Sequence, residues 1–297
     1  MRKNITFTSK HLRCGGWLYK PDNLAMGQKA PAIVMAHGFS AVKEMYLDRF
    51  AERFVAAGFV TLVFDYRYFG ESEGDPRGQL FPHDQHEDYR NAITWLSDQP
   101  EVDPERVGAW GTSLSGGHVI HLASVDRRIK AVVAQVPGVM NGESRRAVDL
   151  RKFEQVGRFL LRDRIARYKT GAVNYMKVVG PQGEPCALTP PDAYEWFMEA
   201  AKIAPNWFNG VTLESLDLTP QYDPARDIQF VAPTPLLMIV AEHDSLIPMA
   251  VSIQSYERAR DPKKLILLPC GHFDVYGTEP WFSKTVDAEV EWFEKYL

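Results

Sequence analysis

The chain has 297 residues, 45% of them hydrophobic, and a net charge of −4. That length holds one large α/β domain, with or without an insertion. The sequence has no basic stripe to suit nucleic acid and no apolar run of membrane-span length, and its three scattered cysteines, Cys14, Cys186 and Cys270, do not suit a disulfide framework or a Cys-rich zinc site.

The N-terminus is basic but lacks the apolar stretch of a secretion signal, so the cytoplasm is the expected location. In that setting Asn4-Ile5-Thr6 matches a glycosylation acceptor by chance. Residues 5–8 and 16–19 read as an antiparallel edge hairpin. Residues 32–36 form an apolar run, a buried strand, followed by a helix over 43–57. A second strand at 59–64 leads through a loop to a helix over 88–97. A third, at 106–110, runs into a helix opening near Ser113. Strands follow at 131–136, 236–240 and 265–268, with helices over 250–259 and 283–296. Continuous apolar strands alternating with helices predict a mostly parallel sheet covered on both faces.

This rhythm breaks between residues 139 and 228, where helical patterns occur without a β pattern. Such a long connection is expected to be a functional insertion. The chain therefore divides into core residues 1–138, a helical cap or lid over 139–228, and core residues 229–297. The cap is rich in aromatics, among them Phe153, Phe159, Trp196, Phe197 and Trp207. Most of these are expected in its own core, with at least two or three facing a pocket.

The most informative stretch is Trp110-Gly111-Thr112-Ser113-Leu114-Ser115-Gly116-Gly117. An apolar strand, a Gly, a serine at +2 from it and a helical pattern give the context of a nucleophile elbow. The position two after Ser113 is Ser115, where Gly is usual. Ser115 is itself a competing nucleophile, but it lacks Gly at −2 and would begin the helix later.

A serine nucleophile needs a base, and the base needs a carboxylate. Of eight histidines, His272 follows the last strand, and Asp244 follows the strand before it. The order Ser113, Asp244, His272, each at a strand end, is that of α/β-hydrolases. Glu242 and Asp274 are alternative acids. His243 is an alternative base, though it occupies the acid's place and is expected to pack or bond locally. The oxyanion donors are expected to be the backbone N–H of Leu114 and that of Phe39 in His37-Gly38-Phe39-Ser40, with His37 structural.

Arg67 is expected to buttress the loop by pairing with a carboxylate. Pro82-His83-Asp84-Gln85-His86-Glu87-Asp88 has the composition of a metal cluster but reads better as a helix start capped by Asp84. His118 and His121 are expected to pack, and Cys270 to be a small buried side chain. No nucleotide-binding glycine motif occurs.

His37-Gly38-Phe39, the loop 65–74, Gly111-Thr112-Ser113-Leu114-Ser115-Gly116-Gly117, Asp244 with Pro248, and Gly271-His272 together resemble the α/β-hydrolase superfamily. More narrowly, residues 110–119 are similar to a branch near dienelactone hydrolases and X-Pro dipeptidyl-peptidase-type acyl hydrolases. That branch includes hydrolases and acyltransferases of fungal polyketide pathways. The resemblance implies an acyl-enzyme mechanism without a cofactor or metal, with Ser113, Asp244 and His272 as triad and Phe39 and Leu114 as oxyanion donors.

The expected function is hydrolysis of an ester or thioester of a medium-sized, partly apolar small molecule. Acyl transfer or carbon–carbon bond cleavage on the same triad is the alternative, and a binding protein on a hydrolase scaffold is the alternative of another class. A homodimer is left open as the assembly.

Overall fold

The computed structural model describes residues 1–297. In chain order the core opens with β1 (Arg2–Ser9), β2 (Leu12–Tyr19), β3 (Ala30–Ala36), α1 (Leu47–Ala56), β4 (Val60–Phe64), α2 (Pro82–Ser97), β5 (Val102–Thr112), α3 (Leu114–Val125) and β6 (Ile129–Gln135). Then come α4 (Gly142–Val148), α5 (Leu150–Thr170), β7 (Tyr175–Met176), α6 (Pro191–Ala200), β8 (Val211–Thr212), α7 (Leu213–Leu218) and α8 (Pro224–Asp227). The chain closes with β9 (Leu236–Ala241), α9 (Met249–Arg258), β10 (Lys263–Leu268) and α10 (Trp281–Tyr296).

Eight strands form one sheet in the order β1-β2-β4-β3-β5-β6-β9-β10. β1 and β2 form the antiparallel edge hairpin, β2 pairs antiparallel with β4, and the remaining pairings are parallel. Along β3, Ala32, Val34 and Ala36 enter one core while Ile33 and Met35 enter the other. Both faces are covered, which is why these strands read as unbroken apolar runs. Because β3, β5, β9 and β10 run parallel, the loops leaving their C-terminal ends gather at one edge. No helix is long and apolar enough to cross a membrane.

Several boundaries differ from expectation. α1 begins at Leu47, not 43, because Lys43 is held by Asp65 and Tyr46 adopts a left-handed φ of 68°. α2 begins at Pro82, whose fixed φ suits a first helical position. Asp84 is therefore not the N-cap. It lies in the first turn, 3.5 Å from Arg67. The stretch between β6 and β9 is not wholly helical: β7 and β8 pair over two residues each.

α10 carries one buried anomaly. Glu289 is fully buried, both its carboxylate oxygens lack a partner, and burial raises its pKa well above the usual 4.5. A raised carboxyl favours the folded state below 4.5 and disfavours it as pH rises. Glu289→Met is expected to stabilise the protein at pH 7 by about 1–3 kcal/mol. Its advantage over the wild type should grow between pH 5 and pH 8, as measured by urea unfolding.

Candidate active site

The turn from β5 into α3 is built by close approach. A Cβ on Gly111 would stand 2.1 Å from the Ser115 carbonyl oxygen, so no other residue fits there without moving the helix. Ser113 occupies the bend with φ 54° and ψ −121°, a strained conformation costing about 1–3 kcal/mol. Backbone bonds hold it there: its N–H donates to Gln135 O at 2.9 Å, and its carbonyl accepts from Gly138 N–H at 2.6 Å.

His272 lies in the loop after β10, with its side chain nearly fully buried. Its Nδ1–H donates to Asp244 Oδ2 at 2.7 Å. That fixes the tautomer and leaves Nε2 to accept the Ser113 hydroxyl proton at 3.1 Å. Asp244 is held in turn, since its Oδ1 accepts the backbone N–H groups of Leu246 at 2.8 Å and Ile247 at 2.7 Å. The structure thus brings Ser113, His272 and Asp244 into one hydrogen-bonded chain.

The alternatives lie elsewhere. Ser115 is buried, donates to His37 O at 2.5 Å and accepts from the Tyr66 hydroxyl at 2.7 Å. This is why a serine, and not glycine, stands at that position. His243 is exposed and does not pack; its backbone N–H bonds Cys270 O at 3.0 Å. Asp274 accepts from Gly271 N–H at 2.7 Å and so braces the loop carrying His272. Burial pushes the Cys270 thiol up to about 12.

Leu114 is the first residue of α3, so its N–H has no helical acceptor. The Phe39 N–H also makes no hydrogen bond within the protein. Both residues border the same cavity as Ser113 and His272. His37 is fully buried, bonded through Nδ1 to Gly38 O at 3.0 Å and pushed down to about 4 by burial.

Two buried ion pairs brace the loop after β4. Arg67 pairs with Asp88, its Nη2 standing 2.6 Å and its Nε 2.8 Å from Oδ1. Lys43 stands 2.8 Å from Asp65 Oδ2, and although burial opposes its charge, Asp65, Glu44 and Glu71 together raise its pKa. The cavity these loops surround has a volume of about 1080 Å³, with more than half its lining residues hydrophobic. Residues between β6 and β9 form much of its wall, including Met140, Phe153, Phe159, Trp196 and Phe197. Trp196 stacks on Phe273, beside His272, with ring centroids 5.1 Å apart, and Trp207 Nε1–H donates to Ser40 O at 2.9 Å.

Sequence reasoning missed the polar cluster behind α3. His118 Nε2–H donates to Gln85 Oε1 at 2.8 Å, and the one lone pair of its Nδ1 faces both His86 Nε2 at 3.0 Å and the Tyr222 hydroxyl at 3.1 Å. Tyr222 borders the cavity. The histidines at 83, 86, 118 and 121 were the available signal, at helical spacing on two helices that nothing in the sequence places together. His121 bonds Asp227 at 2.6 Å, and Asp84 and Asp88 face Arg67.

A family model described as X-Pro dipeptidyl-peptidase (S15 family) matches residues 17–274. The quorum-quenching protein AidA of Acinetobacter baumannii is 32% identical over 294 residues, covering 99% of this chain and 95% of that one. The thiohydrolase aneE of Aspergillus aculeatus is 32% identical over 249 residues, covering 79% of this chain and 76% of its own. Among solved structures, the alpha/beta hydrolase GrgF from Penicillium sp. sh18 superposes with a TM-score of 0.83 at 24% identity, covering 100% and 99% of the two chains. The fold expected from the sequence is the one found.

Burial pushes His118 down to about 3, with His121 and His37 adding to the shift. A depressed histidine stabilises the fold above its ordinary 6.5, and that contribution is lost as pH falls from 6.5 toward 3. The wild type is expected to lose stability relative to His118→Gln over this range, by up to about 1.4 kcal/mol per pH unit. Paired denaturant titrations at pH 7, 6 and 5 check the slope.

Proposed function

The chain belongs to the X-Pro dipeptidyl-peptidase (S15) family and is a hydrolase of the α/β-hydrolase type, and from that premise we propose that it is a serine esterase or thioesterase acting on a medium-sized, partly apolar acyl substrate. The observation that carries this reading is the hydrogen-bond chain from Ser113 through His272 to Asp244, opening on an apolar cavity.

In this mechanism His272 Nε2 takes the Ser113 proton as Oγ attacks the substrate carbonyl. The Asp244 carboxylate stabilises the imidazolium that forms. The free N–H groups of Leu114 and Phe39 receive the developing oxyanion. His272 then gives its proton to the leaving alcohol or thiol. A water deprotonated by the same nitrogen attacks the acyl-enzyme, and the acid departs as the proton returns to Ser113. Residues 139–228 act as the lid whose aromatic wall selects the acyl group. The similarity to the thiohydrolase aneE supports the thioester end of the range.

A second reading has support in the same wall. An apolar lining disfavours water beside the acyl-enzyme, which suits transfer of the acyl group to an alcohol or amine. Product ratios measured against rising acceptor concentration separate the two outcomes.

Fluorophosphonate labelling read by intact mass is expected to add one adduct to the wild type and to Ser115→Ala, and none to Ser113→Ala. p-Nitrophenyl ester turnover should be lost in Ser113→Ala and fall about 10³- to 10⁴-fold in Asp244→Asn. Labelling that survives Ser113→Ala would overturn the assignment.

A further inference from the structure

The cavity wall contributed by α4, α5 and α7 is not purely apolar. Arg145, Asp149, Lys152 and Asp217 border the same cavity as Ser113. The two acids are already engaged. Asp217 Oδ2 stands 2.6 Å from Arg164 and 3.2 Å from Arg167. Asp149 caps α5 by accepting the Lys152 backbone N–H at 2.9 Å.

The cations are not. Arg145 takes part only through its backbone, with its N–H on Asn141 O and its carbonyl accepting from Asp149 N–H. No carboxylate pairs with its guanidinium. Its side chain is accessible, and what it borders is the cavity. The neighbouring Arg146 is spent differently, lying over the Phe153 ring at 5.4 Å.

The start of the helix that carries Arg145 is fixed. A capping box opens α4: Asn141 Oδ1 accepts from Ser144 N–H, and Ser144 Oγ accepts from Asn141 N–H, both at 2.9 Å. Asn141 Nδ2 further donates to Asp223 at 2.7 Å, which ties the start of α4 to α8. A guanidinium that borders an apolar cavity without a counter-ion keeps its charge and its donors free for a ligand oxyanion. The guanidinium's planar fork suits a carboxylate or phosphate group.

We propose that Arg145 is a specificity-determining residue that binds an anionic group of the acyl substrate remote from the scissile carbonyl. This assignment rests on the acyl-hydrolase reading for its place in a reaction, though not for its test. The anion comes either from a carboxylate at the far end of the acyl chain or from a phosphate on the thiol carrier of a thioester.

Two pairs of non-hydrolysable amides, titrated calorimetrically, distinguish the sources and need no turnover. One pair is an ω-carboxyalkanoyl amide and its methyl ester. The other is an acyl pantetheine amide with and without its phosphate. In one pair the charged member is expected to bind the wild type about 10- to 100-fold more tightly. Arg145→Gln should bring that ratio close to one, and Arg145→Lys should retain part of it, since a point charge replaces the fork. Equal or undetectable binding of both members in both pairs overturns the proposal. So does a preference that survives Arg145→Gln, or one abolished only by Lys152→Gln. Absence of Ser113 labelling would remove the hydrolase reading while leaving the binding result standing.

Discussion

The molecule depends on one tight reversal of the backbone, where β5 passes into α3 through Ser113. The residue there is held at a positive φ, and Gly111 and the Ser115 carbonyl approach so closely that a single added carbon would collide. The turn lifts Ser113 above the sheet edge and points α3 back across it. It also frees the Leu114 N–H, because the first residue of a helix has no acceptor behind it. Strain at this point survives because the surroundings over-determine it. Ser113 is bonded through both its N–H and its carbonyl, and Ser115 is clamped between His37 and Tyr66.

Around that turn, polar groups taken out of water fix the loops that a parallel sheet leaves at one edge. Lys43 with Asp65 holds the chain after β3 against the chain after β4. Arg67 with Asp88 ties the latter to α2. The Thr112 and Tyr276 hydroxyls meet at 2.6 Å, joining the end of β5 to the turn beyond His272. Buried ion pairs of this kind add little net stability, but breaking one leaves an uncompensated charge. Their effect here is geometric, keeping three separate loops in register with one serine.

The stretch between β6 and β9 meets this core through a few specific contacts. Trp207 bonds the loop after β3, Trp196 stacks beside His272, and Asp192 accepts from Ser245 at 2.7 Å in the loop carrying Asp244. This stretch therefore touches the loops after β3, β9 and β10. Its inner wall is apolar apart from a few charged side chains, of which the acids are engaged while Arg145 and Lys152 have no ion-pair partner.

The parallel sheet was legible because buried strands must be continuously apolar and because each is followed by a helical period. The pairing of Ser113, Asp244 and His272 was legible as well, because in a parallel sheet residues just past strand ends share an edge whatever their separation in sequence. Local exceptions were not. The start of α1 is set by Asp65, a residue far along the chain that captures Lys43, and propensity carries no trace of it. The start of α2 was misread because Asp84 has the chemistry of a cap, while Pro82 had already opened the helix. The histidine cluster, the clamp on Ser115 and the unpaired state of Arg145 were decided only by the tertiary structure. Each depends on which side chains distant elements bring within hydrogen-bond reach, and on which they leave without a partner.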